Sequence, residues 1–238
     1  MSAICLSNSL VSHYLKYTFA ESFDKKIIRN LLKYIHPFVV SKNQHTIFSD
    51  PSFIMQINND PLLNVVDKCS DEELVSISTL KLQLVERNTN SDFTEVNIVP
   101  LIANSEKIDM AIGATYENSN GKDKAITHMK ALLSNAKWIK VTDGYIDANP
   151  SQWNENKRLL EDIIPKKAID VTIVSGSFSK KNELEAICSD WNVRVQNMGQ
   201  HTHDRYIETD KLNILLSSGL YNLSTNSNKD MTYRIKIK

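Results

Sequence analysis

Near the carboxyl end the chain reads HDRYIETD, which sets His203, Arg205 and Asp210 in the order H-x-R-x4-D. These residue types suit chemistry on a phosphodiester. An imidazole can attack phosphorus, and a guanidinium can hold two non-bridging oxygens as negative charge builds on them. On a β-strand, side chains two apart share a face at roughly 6.6 Å, so one phosphate can touch both His203 and Arg205. The apolar run Asn213 to Leu216 follows, and then the small, polar stretch SSGLYNLS from Ser217 to Ser224. A rigid strand leading into hydroxyls and an amide is where loop-borne phosphate sites are found.

At these residues the chain resembles the phospholipase D superfamily. Its signature is H-x-K-x4-D, followed after six residues by G-S-x-N or G-G-x-N and further on by an acidic residue. His203 and Asp210 fall on the signature and Ser218 falls on its serine, while Asp230 lies about where the family keeps a carboxylate that hydrogen-bonds the catalytic histidine. The departures are Arg205 for lysine, Ser217 for glycine, and Leu220 at the asparagine position with Asn222 two residues late. H-D-R for H-x-K is also similar to phospholipase D-like domains at the carboxyl ends of some membrane-trafficking proteins, which bind head groups or partners without evident catalysis. The resemblance covers about residues 125–238.

The resemblance implies His203 as nucleophile, Arg205, Ser217, Ser218 and Asn222 around the phosphate oxygens, Asp230 orienting the imidazole, and Asp210 bracing the strand end. Asp143 and Tyr145, at the end of an expected strand, can line the same pocket, although a turn-forming Asp-Gly accounts for Asp143 and Gly144 equally well. His203 can equally be a structural histidine tied to Asp230 or Asp210. His201 and His203 stand at i, i+2, but no neighbouring cysteine or histidine completes a metal set, so no metal and no cofactor is expected. The superfamily's reaction resembles a two-histidine mechanism, and one motif per chain implies an isologous homodimer.

The elements that must position these residues follow from periodicity. In the second half, Lys124 to Asn135 reads as a helix, Trp138 to Val141 as a strand, and Trp153, Leu159, Leu160 and Ile163 as the apolar face of a helix capped by Ser151. Ile169 to Val174 is β-branched, Glu183 to Trp191 helical, and Val193 to Gln196 a strand. The motif strand begins at about Asp204, and TYRIKIK alternates as a last strand. This βαβαβ order followed by consecutive strands predicts a mixed sheet flanked by helices.

In the first half, Ser22 to Tyr34 is an amphipathic helix with Phe23, Ile27, Ile28, Leu31 and Leu32 inward. Its Lys25, Lys26, Arg29 and Lys33 either face solvent or meet an acidic partner or membrane. Leu80 to Val85, Val96 to Ile102 and Ile108 to Thr115 read as strands, and the polar Glu117 to Asp123 as a loop or linker. The chain is thus expected to be mixed α/β (α+β), with an N-terminal α+β region of unknown role over residues 1–123 and a phospholipase D-like domain over residues 124–238.

Composition bounds the rest. The 238 residues carry 28 Lys+Arg against 28 Asp+Glu, which argues against a broadly basic nucleic-acid binder. The second half, from about residue 127, holds 16 Lys+Arg against 13 Asp+Glu, an excess that permits phosphate binding. No apolar run reaches the roughly 20 residues needed to span a bilayer, and Met1 to Ala20 lacks a secretory pattern, so a cytoplasmic location is expected. Three scattered cysteines read as buried thiols. No internal repeat or G-x-x-x-x-G-K-S/T loop is present.

Three functions follow. The first is a metal-independent phosphodiesterase, in particular a nuclease, working through a phosphohistidine at His203. The second is a non-catalytic member of the same fold that binds a phosphate, a lipid head group or a protein. In the third, the first half is a protein-recognition module and the second half its effector.

Overall fold

The computed structural model describes residues 3–34, 37–89, 91–99, 112–116, 121–198 and 205–238. The chain divides into two compact units, Met1–Met110 and Ala111–Lys238, each built on its own sheet. The division falls at 110/111 and not at 123/124, because the strand Ile112–Tyr116 pairs antiparallel with the last strand of the chain. Of the expected strand Ile108 to Thr115, the described part, residues 112–115, belongs to the second unit, and residues 108–111 lie outside the described residues.

In the first unit, β1 (Ile4–Leu6), β2 (Phe38–Ser41), β3 (Leu63–Val66), β4 (Leu82–Val85) and β5 (Thr94–Asn97) form one sheet in the order β3-β2-β1-β4-β5. Every neighbouring pair is parallel. Parallel strands need crossovers, supplied by α1 (Asn8–Thr18), α2 (Lys25–Leu31), α3 (Pro51–Asn58) and α4 (Asp71–Ile77). Both faces are covered. Cys5 and Val39 pack under Leu74 and Val75 of α4, while Ile4, Leu6, Phe38, Leu82 and Leu84 are fully buried. The α+β expectation is refined to a doubly wound α/β sheet. Helix α2 is shorter than Ser22 to Tyr34 because Asp24 caps it, accepting from the amides of Lys26 and Ile27, and Leu32 is exposed rather than inward.

The second unit is a seven-stranded mixed sheet of β6 (Ile112–Tyr116), β7 (Trp138–Thr142), β8 (Ile169–Ser175), β9 (Trp191–Asn197), β10 (Arg205–Thr209), β11 (Leu212–Leu216) and β12 (Met231–Ile237), in the order β6-β12-β11-β10-β7-β8-β9. β7, β8 and β9 are mutually parallel, and β10, β11 and β12 run as antiparallel neighbours beside them. The register lines Ile235, Ile214, Ile207, Val141 and Ile173 across the sheet, all fully buried or nearly so. On the alternate positions Lys140, Glu208, Asn213 and Lys236 form a polar row.

Helices α5 (Lys122–Leu133), α6 (Pro150–Ile163) and α7 (Lys181–Glu185) complete the unit. Both parallel crossovers, through α6 and α7, step in the same direction along the sheet, so the right-handed rule puts both helices on one face. Asn149 and not Ser151 caps α6: its side chain accepts from the amide of Gln152, and Pro150 occupies the first turn, where its missing N–H costs nothing. Helix α7 stops at Glu185, well short of Trp191, which begins β9 and sends its indole N–H to the carbonyl of Pro165. No helix among the described residues is long and apolar enough to cross a membrane.

Candidate functional site

β7 ends at Thr142, and Asp143 carries its ladder one bond further by donating its amide to the carbonyl of Val174 on β8 (3.0 Å). The chain then turns. The Asp143 side chain, 1% exposed, folds back into the turn, where Oδ1 accepts from the amide of Tyr145 (3.0 Å) and Oδ2 from the amide of Leu220 (2.9 Å). One carboxylate thereby ties the end of β7 to the loop after β11.

Arg205 opens β10, which pairs with both β7 and β11. Its Nε lies 3.7 Å from Asp143 Oδ1, an ion pair longer than a hydrogen bond. Its guanidinium carbon lies 5.9 Å from the centre of the Tyr145 ring, within cation–π range. Gly219 packs beside this pair: a Cβ there would crowd Asp143 Oδ2 at 3.3 Å and make ordinary contact with Arg205 Nε at 3.8 Å. The guanidinium is thus fixed between a buried carboxylate and an aromatic face, at the carboxyl ends of parallel β7 and β8. That end of an open α/β sheet is where ligands bind.

The remaining residues fall into two groups. Ser217, Ser218, Asn222 and Asp230 lie at the Arg205 end of the sheet, in the connection between β11 and β12. Ser217 extends the β11–β12 ladder, donating its amide to the carbonyl of Thr232 (2.8 Å) and accepting from the Thr232 amide on Oγ (2.9 Å). Ser218 Oγ contacts Met231 Sδ at 3.4 Å. Asn222 sits in the 3-10 helix Leu220–Leu223 and accepts from Ser227 Oγ (2.8 Å), so its oxygen braces the loop. Asp230 is exposed, and its charge acts on Lys122.

Asp210 stands apart, beyond the far end of β10, where Oδ1 accepts from the amide of Lys137 just before β7 (2.9 Å). It fixes a strand end remote from Arg205. His201 and His203 fall among residues 199–204, outside the described residues, as does most of the expected loop from Glu117 to Asp123. No cluster of three or more metal-ligating side chains occurs among the described residues.

Two features here were not singled out as functional in the sequence. Gly219 matters through the crowding that a Cβ would bring to Asp143, which becomes apparent only when Asp143 and Arg205, 62 positions apart, meet beside it. Lys122, at the start of α5, is fully buried and donates to the carbonyls of Ser227 (2.6 Å) and Lys229 (2.8 Å), pinning the segment that ends in Asp230. Burial pushes its ammonium pKa down, and the charge of Asp230 opposes that shift. In sequence it is one lysine in the polar GKDK run.

No protein-family model matches the chain, and no curated protein does. Among solved structures it is similar to that of TrmBL2, an archaeal chromatin protein described as showing a novel mode of DNA binding, at 12% identity and a TM-score of 0.25. That match covers 52% of this chain and 45% of the other, so it spans less than half of that protein.

Proposed function

We propose that the second unit is a phospholipase D-like domain that cleaves phosphodiesters without a metal ion, in particular a nuclease. The observation that carries this reading is the setting of Arg205. A guanidinium paired to buried Asp143 and flanked by Tyr145 stands where the parallel strands end, two residues after His203 in the chain. In the reaction, the His203 imidazole forms a bond to phosphorus as the ester oxygen leaves, Arg205 takes up the charge on the non-bridging oxygens, and water then cleaves the phosphohistidine. The leaving oxygen takes its proton from a second His203, supplied by another copy of the chain.

A second reading has its own support. Ser217 and Asn222 spend hydrogen-bonding capacity on the fold, and Arg205 replaces the lysine of the motif. A domain of this kind holds a phosphate, a lipid head group or a protein without turning it over. In a third reading, the first half of the chain is a protein-recognition module and the second half its effector.

Cleavage assays separate the first two. Wild-type protein and His203→Ala are incubated with labelled DNA, RNA and a phospholipid in excess EDTA. The first reading expects cleavage of at least one substrate by the wild type alone. Binding without cleavage by either protein supports the second.

A further inference from the structure

Consecutive residues of a strand face opposite ways, so Arg205 and Tyr206 belong to different sides of the second sheet. Arg205 shares its side with the core. There His128 Nδ1 of α5 lies 2.6 Å from the Tyr233 hydroxyl, and α6 and α7 cross over on the same side. Among the described residues, no helix of this unit lies on the other side, so that face of the sheet is uncovered.

Its side chains are set in register. Arg194, Thr172, Lys140, Glu208, Asn213 and Lys236 form one row across five strands and the edge strand β9. The next row, nearer the Arg205 end, holds Thr142, Tyr206, Leu215 and Arg234. At the opposite end Trp138 stands with the Lys238 ammonium 4.7 Å from its ring centre.

In a chain of zero formal charge, this face gathers five cations, Lys140, Arg194, Arg234, Lys236 and Lys238, against two carboxylates, Asp170 and Glu208. Both carboxylates are committed. Asp170 pairs with Arg194 (3.4 Å), and Glu208 with Lys140 (3.3 Å) and Lys238 (3.5 Å). Arg234 and Lys236 are exposed on β12, two residues apart, with no ionic partner among the described residues. Between Glu208 and Lys236, Asn213 Oδ1 is buried without a hydrogen-bond partner among the described residues, an acceptor still open to a donor.

Unmatched positive charge calls for a polyanion, and the rest of the face says which. A second copy would set the same net positive surface against itself. An acidic peptide would satisfy the cations but give the rings no flat partner. A broad sheet does not enter the major groove of a duplex, which admits a helix or a two-stranded ribbon. A single strand offers phosphates and open base faces together, and basic and aromatic side chains on one level surface receive both. We infer that the uncovered face of the second sheet binds single-stranded nucleic acid, with phosphates on Arg234 and Lys236 and unpaired bases against Tyr206 and Trp138. A base amino group or sugar hydroxyl donates to Asn213.

This surface lies on the side away from Asp143, so the inference does not rest on cleavage at His203. It is tested by fluorescence anisotropy of the full chain with labelled oligo(dT) and oligo(U) of about 20 nucleotides, a length that spans such a platform. A duplex of the same length, oligoglutamate, and phosphatidylserine vesicles are the comparisons, and a denaturing gel checks that each probe stays intact. Saturable binding of at least one single strand is expected, at least about tenfold tighter than of any comparison. The DNA and RNA arms show which sugar is preferred. Arg234→Gln combined with Lys236→Gln, at exposed positions, weakens binding at least about tenfold and lowers the salt slope by about 1.4, or about 0.7 for each lost phosphate contact. Tyr206→Leu weakens it at least about fivefold at unchanged salt slope and circular dichroism. Binding by a chain that cleaves nothing supports the inference and removes the nuclease, whereas turnover of bis(p-nitrophenyl) phosphate without binding does the reverse. No binding of either single strand at about 0.1 mM protein, equal or tighter binding of duplex, oligoglutamate or vesicles, or full affinity in the Arg234/Lys236 double variant would overturn it.

Discussion

Arg205 Nε lies 3.7 Å from Asp143 Oδ1, and both oxygens of that carboxylate also accept backbone amides, from Tyr145 and Leu220. The guanidinium is therefore positioned by a group that simultaneously holds two loops in place. Removing the carboxylate takes an ionic partner from Arg205 and leaves two amide donors without their acceptor. Asp143→Ala is expected to cost about 3–5 kcal/mol in urea unfolding, and Asp143→Asn less, because its amide oxygen still accepts a bond. A loss below about 1 kcal/mol for the alanine variant would show that the network is not holding the loops.

Arg205 itself is expected to matter more to function than to folding. Arg205→Ala should reduce phosphate affinity or turnover by at least about a hundredfold, with Arg205→Lys intermediate, since an ammonium supplies charge but not the planar fork. An alanine variant with unchanged kinetics would show that the side chain does not reach the phosphate.

Gly219→Ala puts a methyl group 3.3 Å from Asp143 Oδ2 and 3.8 Å from Arg205 Nε. The backbone angle there is ordinary, so the cost comes from crowding alone. Activity or phosphate binding is expected to fall at least about tenfold for a stability loss of about 1–3 kcal/mol. Equal function in the alanine variant would mean that the pair has room to move.

Lys122→Met keeps the buried volume but leaves the carbonyls of Ser227 and Lys229 without their donor. A loss of about 1–3 kcal/mol is expected by denaturant titration near neutral pH. The lowered pKa gives a further signature. Between that value and the ordinary lysine pKa of about 10.4, the unfolded chain binds the proton that the folded chain has lost, so wild-type stability rises with pH relative to Lys122→Met. A difference that narrows over this window would contradict the assignment of a buried, charge-disfavoured ammonium.

How much of this was legible beforehand differs between the halves. In the second unit the β-branched run Ile169–Val174 and the alternation through Tyr233, Ile235 and Ile237 are long enough to declare their period, and the βαβαβ order followed from them. In the first unit β1, β2 and β3 have only three or four residues each, and β1 and β2 are buried throughout, which erases alternation. Leu80 to Val85 and Val96 to Ile102 read as strands, but β1, β2 and β3, and so the parallel pairing, were not legible. At the candidate site the motif drew attention to Arg205, but the sequence offers no sign that Asp143 would be its ionic partner or that Gly219 would pack beside the pair. Those are facts of pairing between β7, β10 and the β11–β12 connection.

The homodimer expected from a two-histidine reaction is open to sedimentation velocity at micromolar concentration. A dimer is predicted, with cysteine-free protein carrying a single cysteine in place of His203 forming a disulfide across the two-fold axis. A monomer would remove the second histidine and favour the binding reading.

The central claim is that His203 bonds to phosphorus. Rapid quenching of wild-type protein during turnover of bis(p-nitrophenyl) phosphate in EDTA, followed by intact-mass and peptide analysis, tests it most directly. The account predicts an acid-labile phosphoryl adduct on the peptide containing His203 and none in His203→Ala, which is inactive. Turnover by the alanine variant, or an adduct on any other residue, would contradict it.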